Sequence, residues 1–129
     1  MTYPVYTVEI PEHPDAVVFV QGISSRNLTG LSWLWRNFLW VKRSTIKAQG
    51  CIQVKAGLCG RTEVVLVSYW KDIGSLMKFF KSQPHREMIE YVSRRPDDLC
   101  LYNETYRPVK SGKYIHEPQG LAVIYPKHS

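Results

Sequence analysis

Long apolar segments and paired cysteines are both missing from this sequence of 129 residues. No uninterrupted apolar run approaches the roughly 20 residues that a membrane-spanning helix needs, and the first ten residues lack the basic region and apolar core of a signal peptide. The three cysteines, Cys51, Cys59 and Cys100, are an odd count without a CxxC pair. This usage argues against a disulfide framework or a zinc site and predicts a reducing, cytoplasmic location.

The sequence also lacks the short motifs of several large classes of enzyme. It contains no nucleophile triad, Gly-rich phosphate loop, GxGxxG motif or paired-carboxylate metal motif, which makes a hydrolase, kinase or dinucleotide-dependent enzyme a weak interpretation. The formal net charge of +6 permits contact with anionic partners. The strand-like segments, however, carry buried-type Val/Leu runs and not the Gly-Phe pattern of RNA-binding sheets, so we expect no nucleic acid partner.

What is present indicates one globular domain of mixed helices and strands. Hydrophobic residues make up 44% of the chain and charged residues 22%, both ordinary for a domain with a single core. β-branched and alternating runs predict strands at 16–24, 51–58, 62–70 and 99–109, with short strands at 113–116 and 121–125. Apolar periodicity predicts helices at 31–50, from Ile73 to the break at "KSQP", and from Pro84 to about Arg94. Asn27 or Thr29 can cap the first helix, Asp72 the second, and Ser82 or Gln83 can precede the third. The predicted inward face of the second helix consists of Ile73, Leu76, Met77 and Phe80.

The resulting order, β-α-β-β-α-β plus a tail, predicts an α+β fold of the ferredoxin-like type, with two helices on one face of an antiparallel sheet. We assign residues 1–14 to an N-terminal extended arm, 15–125 to the domain and 126–129 to a tail. The runs 17–20 and 64–67 are apolar at consecutive positions, so we expect both sheet faces to be buried. Because the helices cover only one face, a second copy of the sheet is the simplest cover for the other, which predicts a homodimer.

The first predicted helix carries two tryptophans that do not fit its apolar face. That face follows the i, i+3, i+4, i+7 rhythm and consists of Leu31, Leu34, Trp35, Phe38 and Val41. Trp33 and Trp40 fall nearly opposite it, among Arg36, Lys42 and Arg43. Since exposed tryptophan is costly in a monomer, the pair predicts a partner surface or peripheral membrane contact, unless the arm or tail covers it.

The segment "SQPHREMIEYV" (82–92) brings one histidine to the inner face of a restarted helix. His85, Met88, Ile89 and Val92 share one face, so His85 points toward the space between helix and sheet. It is either a packed core residue, a partly exposed residue without a role, or a pocket residue that ligates haem iron or transfers protons. An apolar slot for haem would use Met77, Phe80, Met88 and Tyr91, residues that at helical spacing are more often plain core.

The strand "LYNETY" (101–106) offers a second group of candidates. Tyr102, Glu104 and Tyr106 share one face, while Asn103 and Thr105 share the other. If the first three face a cavity, burial would raise the pKa of Glu104, and a Tyr/Glu/His group could deprotonate a phenolic or enolic substrate for reaction with oxygen. The alternative is an edge strand with an exposed glutamate paired to a basic residue.

Three segments carry a resemblance to a known family: "VSYWKDIGSLMKFFKSQPHREMIEYV", "LYNETYRPVKSGKYI" and "GLAVIYP". Over roughly residues 15–125 the chain resembles a monooxygenase-like family of the dimeric α+β barrel superfamily. The matching positions are Tyr69, Trp70, Asp72, Leu76, His85, Glu104, Thr105, Tyr106, Gly120 and Leu121. More distantly, the Trp-to-His segment is similar to spheroidene monooxygenase and to the haem-containing aldoxime dehydratases. Haem-degrading and cofactor-free quinone-forming monooxygenases belong to the same superfamily.

The resemblance implies a monooxygenase-like homodimer that oxidises or binds a small apolar substrate between sheet and helices, with or without haem. The catalytic candidates are His85, Glu104 and Tyr106. The haem-binding candidates are His85, Met77, Phe80 and Met88, and His85 is a metal ligand only if haem is bound. The candidates for the substrate pocket are Tyr69, Trp70, Tyr102 and Asn103.

One departure from the family keeps a second hypothesis open. The family tends to have a histidine where this chain has Asn103, and asparagine retains hydrogen bonding but loses proton transfer and most metal affinity. Asn103 therefore favours a non-catalytic binding or assembly module of the same fold, with a protein partner or peripheral membrane contact.

Overall fold

A computed structural model describes residues 4–128 of the chain. The strands are Val5–Val8 (β1), Val17–Ser25 (β2), Cys51–Cys59 (β3), Glu63–Trp70 (β4), Leu99–Tyr106 (β5), Tyr114–Ile115 (β6) and Lys127–His128 (β7). The helices are Leu28–Ile46 (α1), Ile73–Lys81 (α2), Gln83–Ser93 (α3) and Leu121–Ile124 (α4). The predicted β-α-β-β-α-β order is confirmed by β2 to β5, with its second helix split into α2 and α3. The first three residues of the predicted arm and the last residue of the predicted tail lie outside the described range.

The main sheet has four strands in the order β3-β4-β2-β5, and every neighbouring pair is antiparallel. In the two central strands, Val20 lies opposite Val67. On the other side, Val20 lies opposite Glu104 of the edge strand β5. Because side chains alternate along a strand, this register decides which residues share a face.

The core lies between this sheet and the helices α1, α2 and α3. Strand β4 shows the alternation clearly: Val64, Leu66, Ser68 and Trp70 are buried, and the residues between them are only half-buried. The sheet contributes Val17, Phe19, Ile23, Val64, Leu66 and Trp70 to two apolar clusters. The helices complete those clusters with Trp33, Leu34, Val41, Leu76, Phe79, Met88 and Val92.

Helix α1 is capped by Asn27, one of the two predicted caps, but it spans Leu28–Ile46 and not 31–50, and it is rotated relative to its predicted face. The Asn27 side chain accepts a hydrogen bond of 2.8 Å from the Gly30 backbone N–H, which fixes the first turn. The prediction that Trp33 lies opposite the buried face is wrong, because Trp33 is buried and its ring stacks on Tyr91 at 4.9 Å. Trp35, predicted to face inward, is 48% exposed. A neighbouring helix thus supplies a second contact surface that periodicity within one helix does not show.

The predicted start and break of the next helices are confirmed. Asp72 accepts a hydrogen bond of 2.7 Å from the Ser75 backbone N–H at the start of α2, and Ser82 separates α2 from α3. On α3 the predicted inward face is confirmed. On α2, however, the predicted inward residues Ile73 and Met77 are 40% and 45% exposed, and Phe79 is buried instead.

The N- and C-terminal segments form a small second sheet with the order β6-β1-β7. The predicted strand at 121–125 is wrong, since residues 121–124 form the short helix α4. Gly120, with φ of 59°, turns the chain into that helix against the Tyr69 ring, where an added Cβ would lie 2.9 Å from the hydroxyl oxygen. The chain becomes extended again at Tyr125 and pairs with β1 through β7.

The sheet face turned away from α1, α2 and α3 is called the open face below. Its central residues Val18, Val20, Val65 and Val67 are half-buried in the single chain. One end of this face is covered by the C-terminal segment, where the Gly120 backbone N–H donates to Gln53 Oε1 at 2.5 Å. The prediction of full burial on both faces is therefore not met by one copy of the chain.

Across residues 4–128, no helix combines the length and the apolar character needed to cross a membrane.

Candidate functional site

His85 lies in the first turn of α3, and the local sequence explains its position. Ser82 ends α2 with extended backbone and precedes α3, and Pro84 occupies the first turn, where its missing N–H costs no hydrogen bond. This restart directs the first inward residue of α3 toward the sheet. His85 is buried, with 8% of its surface exposed, as the periodicity predicted.

The surroundings of His85 favour a neutral imidazole. Its ring contacts Phe79 edge-on, with centroids 4.9 Å apart, and lies 5.1 Å from the Phe80 ring. Burial lowers the pKa of His85, and a hydrogen bond with the Phe80 backbone partly opposes that shift. The Nε2 atom is buried and has no hydrogen-bond partner among the described residues. A neutral imidazole with a free Nε2 is suited to accept a proton or a hydrogen bond.

A cavity of about 10 Å³ lies on the inner side of His85, between α1, α3 and β2. It is lined by Gln21, Trp40, Val41, Ser44, Thr45, Phe79, Pro84, His85 and Met88. A cavity of this size holds about one water molecule, and the His85 Nε2 atom in its lining has no protein partner among the described residues. The structure thus leaves very little open space directly in front of His85.

Gln21 is a residue of this cavity that the sequence reasoning missed. It is 2% exposed in the middle of β2, and its Nε2 atom lies 3.2 Å from the Met88 sulfur, a weak acceptor. Its position in the otherwise apolar run "VVFVQGI" was the available signal. A buried amide in such a run needs a polar partner, and the His85 cavity is the space that it faces.

A second, open depression lies on the outer side of His85. It has a volume of about 300 Å³ and is lined by Phe80, His85, Arg86, Ile89 and Glu90. On the edge strand β5, Asn103 and Thr105 belong to the helix-facing side of the sheet, yet both are exposed. His85 therefore separates a small inner cavity from a larger open one.

The predicted haem-binding residues do not line one slot. Met77 lies exposed on α2, Phe80 lines the outer depression, and Met88 lines the inner cavity. A rigid macrocycle does not fit a cavity that holds about one water molecule. The residues around His85 therefore do not fit haem as they are arranged, and among the described residues there is no cluster of three metal-ligating side chains.

The predicted Tyr/Glu/His group is split between the two sheet faces. Tyr102, Glu104 and Tyr106 lie opposite Gly22, Val20 and Val18, which places them on the open face, whereas His85 is on the helix side. All three are exposed, and the hydrogen bond with Glu104 raises the pKa of Tyr106. Within one chain the glutamate is thus a surface group beside two phenols, not a partner of His85.

The four predicted pocket residues are split in the same way. Trp70 is fully buried on the helix side, where its Nε1–H donates to Ser68 Oγ at 2.8 Å. Asn103 lies on the same side, opposite Gln21. Tyr69 and Tyr102 lie on the open face, Tyr69 against Gly120 and Tyr102 over Gly22. The sheet thus separates two candidate surfaces, and only the helix side contains His85.

The four-stranded sheet order and the helices on one face define a ferredoxin-like α+β fold. Residues 16–116 match the family described as monooxygenase af470-like. The chain therefore belongs to the monooxygenase af470-like family, and the resemblance noted in the sequence is confirmed.

Solved structures with the same fold come from several proteins of low identity. Protein SO0527 from Shewanella oneidensis is 16% identical, with a TM-score of 0.62 over 87% of this chain and 98% of that one. SnoaB, a cofactor-independent oxygenase from Streptomyces nogalater, is 9% identical, with a TM-score of 0.58 over 74% of this chain and 94% of SnoaB. Aldoxime dehydratase in complex with butyraldoxime is 15% identical, with a TM-score of 0.71 over 97% of this chain and 38% of the enzyme. These similarities show the fold; no curated protein matches the sequence.

Proposed function

We propose that this protein is a monooxygenase-like oxidoreductase that binds a small apolar substrate between the sheet and the α2–α3 pair, with an acidic C–H or O–H group of the substrate at His85. The observation that carries the proposal is the buried Nε2 atom of His85, which has no partner among the described residues. Leaving a buried acceptor unpaired costs free energy, so such an atom marks a place where a ligand group would be stabilised.

The chemistry follows from a neutral imidazole in apolar surroundings. His85 would take one proton from a phenolic or enolic substrate, and Phe79 and Met88 would exclude water from the resulting anion. Anthrone illustrates the balance: anthrone and dioxygen give anthraquinone and water, and the substrate itself supplies the electrons. The step needs dioxygen and a base, and we derive no step through haem because the residues at His85 do not fit it.

Substrate entry requires side chains to move, because the cavity as it stands holds about one water molecule. Trp40 is the lining residue with the greatest exposure, at 39%, and Phe80 borders the outer depression. We propose that the substrate occupies the outer depression and reaches His85 by displacing the Phe80 ring. The exposed edge strand residue Asn103 would then face the substrate as a hydrogen-bonding group.

We also propose that the protein is a homodimer in which two open faces pack together. Four valines at the centre of that face, Val18, Val20, Val65 and Val67, remain only half-buried in one chain. A second copy of the sheet would complete their burial and is the arrangement that gives the superfamily its name.

The direct test is oxygen consumption by the purified protein with anthrone as substrate, followed with an oxygen electrode and by absorbance of the quinone. We expect turnover that falls at least about 100-fold in His85→Gln, because a positioned general base typically contributes that much or more. Glu104→Gln is the matched control, since it removes a carboxylate on the opposite sheet face. It should leave the rate unchanged.

Two other results would count against the proposal. If His85→Gln retains the full rate, His85 is not the base. If anthrone and other fused-ring phenols neither react nor bind, the non-catalytic binding module becomes the better interpretation. Titration with haemin tests the remaining alternative, and we expect no Soret shift that depends on His85.

A further inference from the structure

The outer face of α1 carries an apolar stripe that no part of the described chain covers. It consists of Leu28, Trp35, Leu39 and Ile46, which are 83%, 48%, 49% and 43% exposed. Their spacings of seven, four and seven residues place all four within roughly 40° of one another around a helix of 3.6 residues per turn. The stripe therefore runs along one line for the length of the helix and points away from the sheet.

The charged residues that α1 itself contributes beside this stripe all have one sign. Arg36, Lys42, Arg43 and Lys47 lie on α1 or just after it, and the sequence contains no aspartate or glutamate between residues 16 and 62. By helical angle, Lys42 lies on one side of the stripe and the other three lie on the opposite side. None of the four forms an ion pair within the described residues, where the ion pair observed is Arg94 with Glu90.

An acidic side chain lies at the first turn of α1. The Asn27 side chain donates to Asp98 Oδ1 at 2.7 Å and to the Asp97 backbone carbonyl at 3.2 Å, so the Asp98 carboxylate lies next to the start of the helix. The positive, apolar part of the surface is consequently its C-terminal two-thirds, from Trp35 to Ile46.

We propose that this surface, from Trp35 to Lys47, docks on an anionic lipid surface. Tryptophan and aliphatic side chains on one line, flanked by cations on both sides, match the boundary between headgroups and acyl chains. The face is a convex helix ridge and not a groove, which suits a planar surface better than a partner helix. A second copy is disfavoured because symmetric pairing of α1 would bring two sets of four cations together.

This surface differs from the pair suggested by the sequence alone. Trp33 is buried against Tyr91, whereas Trp35 takes its place on the exposed side. The stripe lies on the outer face of α1, away from the open face, so a dimer formed through the open face would leave it accessible on both copies. The proposal stands independently of the reaction proposed at His85.

The test is co-sedimentation of the full chain with vesicles of phosphatidylcholine alone and of equal parts phosphatidylcholine and phosphatidylserine. We expect binding to the anionic vesicles only, with a blue shift of tryptophan emission that disappears in Trp35→Phe/Leu39→Ser. Lys42→Gln/Arg43→Gln should lower the partition coefficient roughly 30-fold, because each cation near an anionic surface contributes about a fivefold factor. Raising the salt concentration should weaken binding of the unmodified chain.

Matched controls separate this surface from general charge or hydrophobicity. Lys78→Gln/Lys81→Gln makes the same charge change on α2, and Val109→Ser removes an apolar side chain that is 89% exposed elsewhere. Both should bind as the unmodified chain does, and thermal unfolding verifies that every variant is folded.

Three outcomes would overturn the proposal. The first is equal binding to neutral and anionic vesicles, and the second is equal loss of binding in the α2 control. The third is a change of oligomeric state in Trp35→Phe/Leu39→Ser by sedimentation velocity, which would identify a second copy of the chain as the occupant.

Discussion

At the scale of single residues, His85 and Cys51 show how burial changes the chemistry of a side chain. His85 is buried and Cys51 is half-buried, and in both the loss of solvation disfavours the charged form. For histidine this lowers the pKa, and for cysteine it raises the pKa. The same physical cause therefore favours the neutral imidazole of His85 and the protonated thiol of Cys51.

The lowered pKa of His85 predicts a loss of stability in mild acid. The unfolded chain takes up a proton near the ordinary histidine pKa of 6.5, whereas folded His85 resists protonation until the pH is lower. The contribution of His85 to stability is therefore fully present well above pH 6.5, the pKa in the unfolded chain, and it is lost as the pH falls below that value. We expect the free energy of unfolding in urea to fall between about pH 7.5 and about pH 5.5 more steeply than in His85→Gln. The other histidines are common to both proteins, and equal slopes would show that His85 is not desolvated.

The three cysteines should differ clearly in their rates of alkylation. Cys59 and Cys100 are exposed, while burial raises the pKa of Cys51 to about 11. Because the thiolate is the reactive form, iodoacetamide at pH about 8 should modify the first two long before Cys51, as read by peptide mass spectrometry. In denaturant all three should react together. Rapid modification of Cys51 in the folded protein would contradict its burial.

At the scale of elements, local signals set where the helices begin and tertiary contacts set which faces they bury. Asn27, Asp72 and Ser82 each stand at the start of a helix, as the sequence predicts. The faces of α1 and α2 were predicted less well, because Trp33 is buried against Tyr91 of a different helix and Met77 stays exposed. Caps act over three residues, whereas a buried face depends on what lies opposite it.

The Asn27 cap should have a measurable effect on stability. Its side chain accepts from the Gly30 N–H and also donates to Asp98, so it joins the start of α1 to the loop before β5. We expect Asn27→Ala to lower the free energy of unfolding by about 1 kcal/mol, measured by chemical denaturation. Gln49→Ala, an exposed site after the same helix, is the control and should change it little. Equal effects at the two sites would mean that the cap is not stabilising.

At the scale of the whole molecule, one sheet separates two surfaces of different composition. The helix side holds the buried His85 and Gln21, and the open face holds half-buried valines with Tyr102, Glu104 and Tyr106. Successive residues of a single strand therefore point to different surfaces. One set faces the candidate site on the helix side, and the other set faces the candidate interface on the open face.

The proposed dimer predicts that a charge at the centre of the open face yields a monomer. Val20 lies between Val67 and Glu104, so in a dimer Val20→Lys would bury an ammonium group against the partner sheet. We expect this variant to sediment as a monomer and the unmodified chain as a dimer. Val109→Lys, on an exposed loop, should remain dimeric. A monomeric unmodified chain would refute the proposed interface.

The sequence by itself determined the order of strands and helices, the helix caps and the inward direction of His85. These features depend on hydrophobic periodicity and on hydrogen bonds between near neighbours, which a short stretch of chain specifies. The family resemblance added the fold and the monooxygenase-like class.

Only the tertiary structure decided which of these residues meet. In the folded chain Trp33 is buried and Trp35 is exposed, and residues 121–124 form a helix. Gln21 and His85 line the same cavity, whereas Glu104 lies on the opposite face of the sheet from His85. The reason is that strand register and helix packing join residues far apart in the chain, and a change of one position in register moves a side chain to the other face. The cavity at His85, small as it is, exists only in that packed arrangement.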